Sequence, residues 1–294
     1  MVSAIITTYK RPPEIVKRAA QSVLGQTYKD IELIIVDDSP SSYELREDVR
    51  KMAESLGRRV RYIQHEKNMG ACAARNTGIR NARGEFIAFL DDDDEWLANK
   101  IQLQTEEMNK NPEISLVYCG WYIFYAEENR VVKPKVKFHK GYIYKKLIMD
   151  NFIGSTSFPL IRKSVFEEIG CFNVEMKAAQ DYEMWLRIVR KYAVSYVKEP
   201  LVRYYVHEGE QITKNYRAKL EALERVNELN MGYLKKHPKA YSIRIMKLLL
   251  FYVKFDIKKA RKYYWKAVKL YPIPTVYLLR AFKWIYIMPF LQRR

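Results

Sequence analysis

Two nucleotide-binding signatures are missing from this 294-residue chain. No G-x-G-x-x-G follows its first apolar segment, which speaks against a dinucleotide site of the Rossmann type, and no G-x-x-x-x-G-K-[ST] loop is present to cradle a phosphate. Phosphates would have to be held by arginine or a metal instead. Cysteine is scarce: Cys72, Cys119 and Cys171 are odd in number and lack metal-ligand spacing. They read as reduced thiols of a cytosolic protein rather than a disulfide frame. No apolar run reaches the roughly 18 residues that a membrane-crossing helix needs, and Arg280 and Lys283 break the most hydrophobic stretch. There is no low-complexity tract or internal repeat. The chain enters a strand-like segment at Val2 without a basic leader or apolar h-region, so no signal peptide is expected.

What is present is enough apolar residue, 48% of the total, to bury a full core. Apolar strand-like runs and amphipathic helices alternate from the start. Val2 to Ile6, Ile31 to Val36, Val60 to Ile63 and Phe86 to Leu90 read as strands. Between them lie helices that begin at Pro12-Pro13 and stop at Gly25, run from Glu44 to Leu56 and stop at Gly57, and run from Ala71 to Ala82. Such alternation predicts an α/β fold with a doubly wound, mostly parallel sheet flanked by helices. Ligands of such sheets sit at the carboxyl ends of the strands. Those ends carry Thr7 to Arg11, Asp37-Asp38, His65 to Asn68 and Asp91 to Asp94.

The fourth strand ends in four consecutive aspartates followed by Glu95 and Trp96. Like charges at that spacing repel unless a cation screens them, and hard cations such as Mg²⁺ or Mn²⁺ take carboxylate oxygens and commonly hold a diphosphate. A solvated turn that caps the next helix would account for the same residues. The spacing does not match an EF-hand. Further on, the sequence predicts a helix from Asn99 to Lys110 and a strand from Leu116 to Tyr125. A short strand spans Phe158 to Ile161, and a helix capped by Ser164 stops before Gly170. A helix through Gln180 to Arg187 has Asp181 near its start, and a strand runs from Pro200 to Val206. Trp96, Trp121 and Trp185 read as core.

The net charge of +18 is uneven. Thr213 to Arg294 holds 20 Lys and Arg against four acids, a balance of +16, while residues 1–212 carry +2. This places a near-neutral domain at 1–211 and a basic, aromatic-rich helical appendage at 212–294, with helices over Ala218 to Leu234, Ile243 to Phe255, Ile257 to Leu270 and Val276 to Ile287. Two readings of the appendage stand side by side. One is peripheral attachment to an anionic membrane, the inner face for a cytoplasmic protein, through a basic amphipathic helix. The other is a helical cap that packs on the N-terminal domain.

Five fragments, in order, resemble the inverting glycosyltransferases of family 2, which have the GT-A fold. They are Ile5-Ile6-Thr7-Thr8-Tyr9 with Arg11, Val36-Asp37-Asp38-Ser39, Ala74-Arg75-Asn76-Thr77-Gly78, Gly84 through Asp94, and Gln180-Asp181-Tyr182-Glu183-Met184-Trp185. The resemblance implies a nucleotide-sugar donor and transfer of a hexose or related sugar to a saccharide or lipid-linked acceptor. It assigns Thr7, Tyr9, Arg11, Asp37, Asp38, Arg75, Asp91 and Asp92 to nucleotide binding. Asp91 and Asp93 match the D-x-D pair that holds Mn²⁺ or Mg²⁺, with His207 as a further metal ligand. Asp181 matches the general base. Gln180 stands where the family more usually has Glu, and Asp92 where a small residue is common. Two rivals belong to other classes. A metal-dependent nucleotidyltransferase would share the sheet and the carboxylates but lacks its Gly-rich loop here. A nucleic-acid-binding protein could use the tail's aromatics and cations, but the aspartates would then have no task.

Overall fold

The computed structural model describes residues 1–206 and 216–272, together with positions 279, 282, 283 and 285. The chain divides into two compact units. Met1–Tyr144, Asn151–Glu175 and Gln180–Gly209 form a unit built on one sheet. Lys145–Asp150, Met176–Ala179 and Glu210–Arg294 form a helical unit.

The sheet unit opens with the predicted alternation: β1 (Val2–Thr8), α1 (Pro13–Leu24), β2 (Ile31–Asp37), α2 (Arg46–Ser55), β3 (Val60–Gln64), α3 (Ala71–Asn81) and β4 (Phe86–Asp91). β1, β2 and β4 are buried along almost their whole length, as strands packed between helices must be, while β3, at the end of the strand order, is only partly covered and carries Arg61 and Gln64. Proline opens α1, whose Val16, Ala19, Ala20 and Val23 are buried against the sheet. α3 lies so close to β1 that a Cβ on Gly78 would sit 2.4 Å from Ile5.

The chain continues through β5 (Glu95–Trp96), α4 (Lys100–Asn109), β6 (Ile114–Tyr125), β7 (Arg130–Val132), α5 (Tyr144–Leu147), β8 (Leu160–Arg162), α6 (Lys163–Ile169), α7 (Gln180–Lys191) and β9 (Ala193–Val206). Strand order is β3-β2-β1-β4-β8-β6-β9-β5, with β7 paired to β6. β1 to β4 are mutually parallel, β8 runs antiparallel to both β4 and β6, and β9 is parallel to β6. The sheet is therefore mixed and mostly parallel, as the α/β reading expected. Its register aligns the strand tips: Thr7 lies beside both Val36 and Asp91, and Thr8 beside Asp37.

Three local expectations are corrected. The last strand does not start at Pro200 but at Ala193; Pro200 is tolerated inside it at a bulge, opposite Gly120, where the ladder needs no donor from that position. Ser164 is not the cap of α6, which begins at Lys163 after an extended Arg162. The helix expected over Ala218 to Leu234 breaks at Asn230, whose side-chain amide donates to the Val226 carbonyl at 2.7 Å. Trp96 and Trp185 are core, while Trp121 is half-buried and stacked 4.5 Å from the Phe158 ring.

In the helical unit, α8 (Tyr216–Leu229), α9 (Met231–Lys236), α10 (Pro238–Phe255) and α11 (Ile257–Leu270) follow one another. Leu220, Ile245, Met246, Leu249, Ala260 and Ala267 are part of a core of their own. Among the described residues, no helix is long and apolar enough to cross a membrane. The helix expected over Val276 to Ile287 lies largely outside the described residues.

Candidate active site

The four aspartates sit on a tight turn in which the Asp94 N–H donates to the Asp91 carbonyl at 3.0 Å. The turn sends the carboxylates in different directions. Asp91 accepts from Arg75 Nη2 at 2.9 Å, from Ser155 Oγ at 3.1 Å and from Thr156 Oγ1 at 3.0 Å. Arg11 bridges the next two, with Nε donating to Asp92 Oδ1 at 3.1 Å and Nη2 to Asp93 Oδ2 at 3.0 Å. Asp94 points inward, is fully buried, and accepts from Ser157 Oγ at 2.6 Å and from the Tyr205 N–H at 3.1 Å. The turn is thus pinned by β1's loop, α3, β9 and the segment from Ser155 to Ser157.

So much carboxylate in so little water has an electrostatic consequence. Burial, together with neighbouring Asp93 and Asp91, pushes Asp92 up to about 7 even though Arg11 opposes the shift. Burial and the fields of Asp91 and Asp93 hold Asp94 well above the usual carboxylate range. Crowding of four carboxylates on one turn, two of them buried, is what opposes their ionisation. A hard divalent cation fits this donor set, since Asp91 and Asp93 offer carboxylate oxygens on one turn. Among the described residues, no three His, Cys, Asp or Glu side chains converge. A cation here would therefore be held by one or two carboxylates, as Mg²⁺ is when substrate phosphates complete its shell. His207 lies outside the described residues. Arg75 adds a second sign of an absent oxygen-rich partner: its Nη1 is buried with no hydrogen-bond partner among the described residues.

The A-R-N-T-G fragment on α3 divides its labour. Arg75 reaches the aspartate turn and lies 5.6 Å from the Phe172 ring. Asn76 clamps the Phe172 backbone from both sides, its Nδ2 donating to the carbonyl at 2.9 Å and its Oδ1 accepting from the N–H at 2.8 Å. Thr77 meets His65 Nε2 at 2.9 Å.

Asp37 and Asp38 reach the same sheet edge but are buried and engaged by protein donors. Asp37 accepts from the Ser39 N–H at 2.8 Å and from the Tyr62 hydroxyl at 2.6 Å. Asp38 accepts from the N–H groups of Met69 and Gly70 at 2.8 and 2.7 Å and lies 2.7 Å from His65 Nδ1. Asp38 thereby fixes the loop that enters α3, and Asp37 ties the end of β2 to β3. Thr7 is half-buried at the tip of β1, and Tyr9, two residues on, is 44% exposed.

Asp181 is half-buried in the first turn of α7, following Ala179 at a left-handed φ of 51°, and accepts from the Tyr182 N–H at 2.7 Å. Its field joins those of the aspartate turn. After burial, Asp94, Asp91, Asp93 and Asp181 in that order push the Tyr204 phenol upward. Asp181 also contributes to raising Cys72 on α3 to about 11, with burial the main cause and Arg75 opposing. The helix N-terminus favours negative charge at this position.

Sequence reasoning missed Ser155, Thr156 and Ser157, which supply hydroxyls to the turn, and Arg18, whose Nη2 donates to the Asp93 carbonyl at 2.8 Å. Arg18 also lies 4.3 Å over the Tyr205 ring, and Glu95 accepts from Tyr205 at 2.8 Å and from Arg203 at 3.2 Å. The Gly-Ser-Thr-Ser run was the available signal: a hydroxyl-rich stretch beside a glycine with no helical or strand period.

A mixed, mostly parallel sheet flanked by helices, with an acidic turn and arginines at its strand tips, is the GT-A fold of glycosyltransferases. The chain belongs to glycosyl transferase family 2, whose model matches residues 3–170. It is 33% identical to the Escherichia coli K12 putative colanic acid biosynthesis glycosyl transferase WcaA over 73% of this chain and 76% of that one. It is 34% identical to the Escherichia coli UDP-Glc:alpha-D-GlcNAc-diphosphoundecaprenol beta-1,3-glucosyltransferase WfgD, over 66% and 72% of the two chains. The fold is similar to that of Staphylococcus aureus TarS residues 1–349 in complex with UDP-GlcNAc, with a TM-score of 0.63 at 18% identity over 97% of this chain and 81% of that one. Family membership decides for sugar transfer over nucleotidyl transfer.

Proposed function

We propose that the protein transfers a sugar from a UDP-sugar to a hydroxyl of a lipid-linked saccharide, with inversion at the anomeric carbon. The observation that carries this reading is the meeting of an aspartate turn, two arginines and the field of Asp181 on Tyr204 at one sheet edge. A UDP donor is supported by WfgD's name and by the nucleotide sugar held by TarS, and a lipid-linked acceptor by WfgD's name.

In this reading exposed Tyr9 offers a face for the base and Thr7 a hydroxyl for the nucleoside, while Asp37 and Asp38 shape the ledge beneath them. Arg11 and Arg75 meet the diphosphate, and the orphaned Nη1 of Arg75 gains an acceptor. Asp91 and Asp93 would hold Mn²⁺ or Mg²⁺, with Asp92 behind them on Arg11. The bound cation supplies charge neutralisation to the departing diphosphate. Asp181 takes the proton of the acceptor hydroxyl as that oxygen bonds to the anomeric carbon. The carbon–oxygen bond to phosphate breaks, and its electron pair leaves with the nucleoside diphosphate. One base on one side of the sugar suffices for direct displacement.

The test is release of UDP from UDP-sugars by the full chain, with Mn²⁺ and with EDTA, and the anomeric configuration of the product by NMR. Metal-dependent release that is lost in Asp93→Ala, together with an inverted product, is expected. A retained configuration or metal-independent turnover overturns the corresponding part.

A further inference from the structure

The helical unit carries a surface for which sugar transfer has no use. α11 packs through Ala260 and Ala267, both fully buried, with Ile257 and Val268 partly covered beside them. The opposite side presents Lys258, Arg261, Lys262, Trp265, Lys266 and Lys269, all exposed. Their spacing of i, i+3, i+4, i+7, i+8 and i+11 places them on one helical stripe. Over a 14-residue helix that stripe is about 20 Å long.

The stripe holds five cations and no acid. From Pro238 to Leu270 the only acid is Asp256, and it is occupied in capping α11 by accepting from the Lys259 N–H at 2.9 Å. Trp265, 54% exposed, sits in the middle of the cations. Aligned like charges repel one another, and an exposed indole is poorly solvated; both penalties are relieved by an anionic surface that also accepts an aromatic ring.

We propose that this face of α11 docks the protein on an anionic phospholipid bilayer, with Trp265 at headgroup depth and the lysine and arginine stems reaching the phosphates around it. Charge complementarity names the partner. A convex helical face with one exposed indole suits a plane of headgroups. Single-stranded nucleic acid is bound instead by a groove and a succession of stacking rings. The inference does not depend on the donor-site reading, because the stripe lies outside the residues assigned to it.

Co-sedimentation of the full chain with mixed phosphatidylcholine–phosphatidylglycerol vesicles, against pure phosphatidylcholine, tests it. Binding to the mixed vesicles alone, weakened by salt, is expected. Each cation removed should lower partitioning roughly fivefold. Thus the combined Lys258→Gln, Arg261→Gln, Lys262→Gln and Lys269→Gln variant should fall by more than about a hundredfold, and Trp265→Ser should weaken binding at constant charge. These side chains are exposed, so the variants should keep the parent's thermal midpoint and its UDP–Mn²⁺ response. Equal binding to neutral vesicles, or variants that bind like the parent, overturns the proposal. So does salt-sensitive capture of a single-stranded oligonucleotide without vesicle binding.

Discussion

Arg75 and Asp91 come from different elements, the middle of α3 and the tip of β4, and meet at 2.9 Å with the arginine almost wholly buried. Nη2 holds the acid while Nη1 has no hydrogen-bond partner among the described residues. Arg75→Ala would leave Asp91 with two hydroxyl donors, no charged hydrogen-bond partner, and only the more distant field of Arg11. Breaking a buried pair costs roughly 3–5 kcal/mol, and partial water access at Asp91 reduces this to about 2 kcal/mol. Urea unfolding should show that loss. UDP binding should weaken more in Arg75→Ala than in Arg75→Lys, which keeps charge but loses the fork.

The base role proposed for Asp181 predicts a separation of binding from chemistry. Asp181→Asn preserves shape and the acceptor for the Tyr182 N–H, yet cannot take a proton. The expected result is a fall in kcat of about 10³-fold, within the range for a lost general base, with UDP-sugar affinity unchanged. A large rise in KM at constant kcat would instead make Asp181 a binding residue. Asp93→Ala should show the opposite pattern, losing the response of donor affinity to Mn²⁺.

The first half of the sheet was legible because its strands are short, mostly apolar runs and helices with start and stop residues separate them. The aspartate turn was legible because four acids cannot end a buried strand without consequence. Less visible was what those acids touch. Nothing in the spacing of Asp37 and Asp38 said that backbone amides of Met69 and Gly70 and the Tyr62 hydroxyl would engage them, since these contacts join residues 25 to 32 positions apart. Ser155 to Ser157 carry no period at all, and Pro200 concealed a strand that bulges around it. Side-chain partners across a sheet edge are set by tertiary packing, which composition and periodicity do not record.

Gly154 governs whether those serines reach the turn. Its φ of 85° is a left-handed conformation, and an added Cβ would stand 2.7 Å from the Phe158 ring. Its carbonyl also accepts from Trp185 Nε1 at 2.9 Å. Gly154→Ala therefore meets both backbone strain and a clash with a ring stacked on Trp121. It should destabilise by about 2 kcal/mol or more, and Ser155 and Thr156 should be drawn away from Asp91. A lower thermal midpoint together with weaker UDP–Mn²⁺ binding is expected; loss of neither would show that the loop accommodates the methyl.

Lys100 supplies a pH dependence separate from the site. Its side chain is fully buried, donates to Gln104 Oε1 at 2.7 Å and lies 4.3 Å over the Trp96 ring. Burial lowers its pKa from 10.5 to about 8, with Cys119 opposing weakly. Below about pH 8 the lysine is charged in both states, and folding must desolvate that charge. Above 10.5 it is neutral in both, and the penalty is gone. Between those values the unfolded chain binds more protons, so this group's contribution to stability rises with pH, by about 3 kcal/mol over the whole window. Lys100→Met removes the charge and, with it, one hydrogen bond to Gln104 worth about 1 kcal/mol. The variant should be more stable than the parent by about 2 kcal/mol at neutral pH and less stable by about 1 kcal/mol near pH 10.5. Urea unfolding of both proteins at the two pH values measures the difference directly. A difference that keeps the same sign and size at both would mean that Lys100 stays charged in the folded protein throughout.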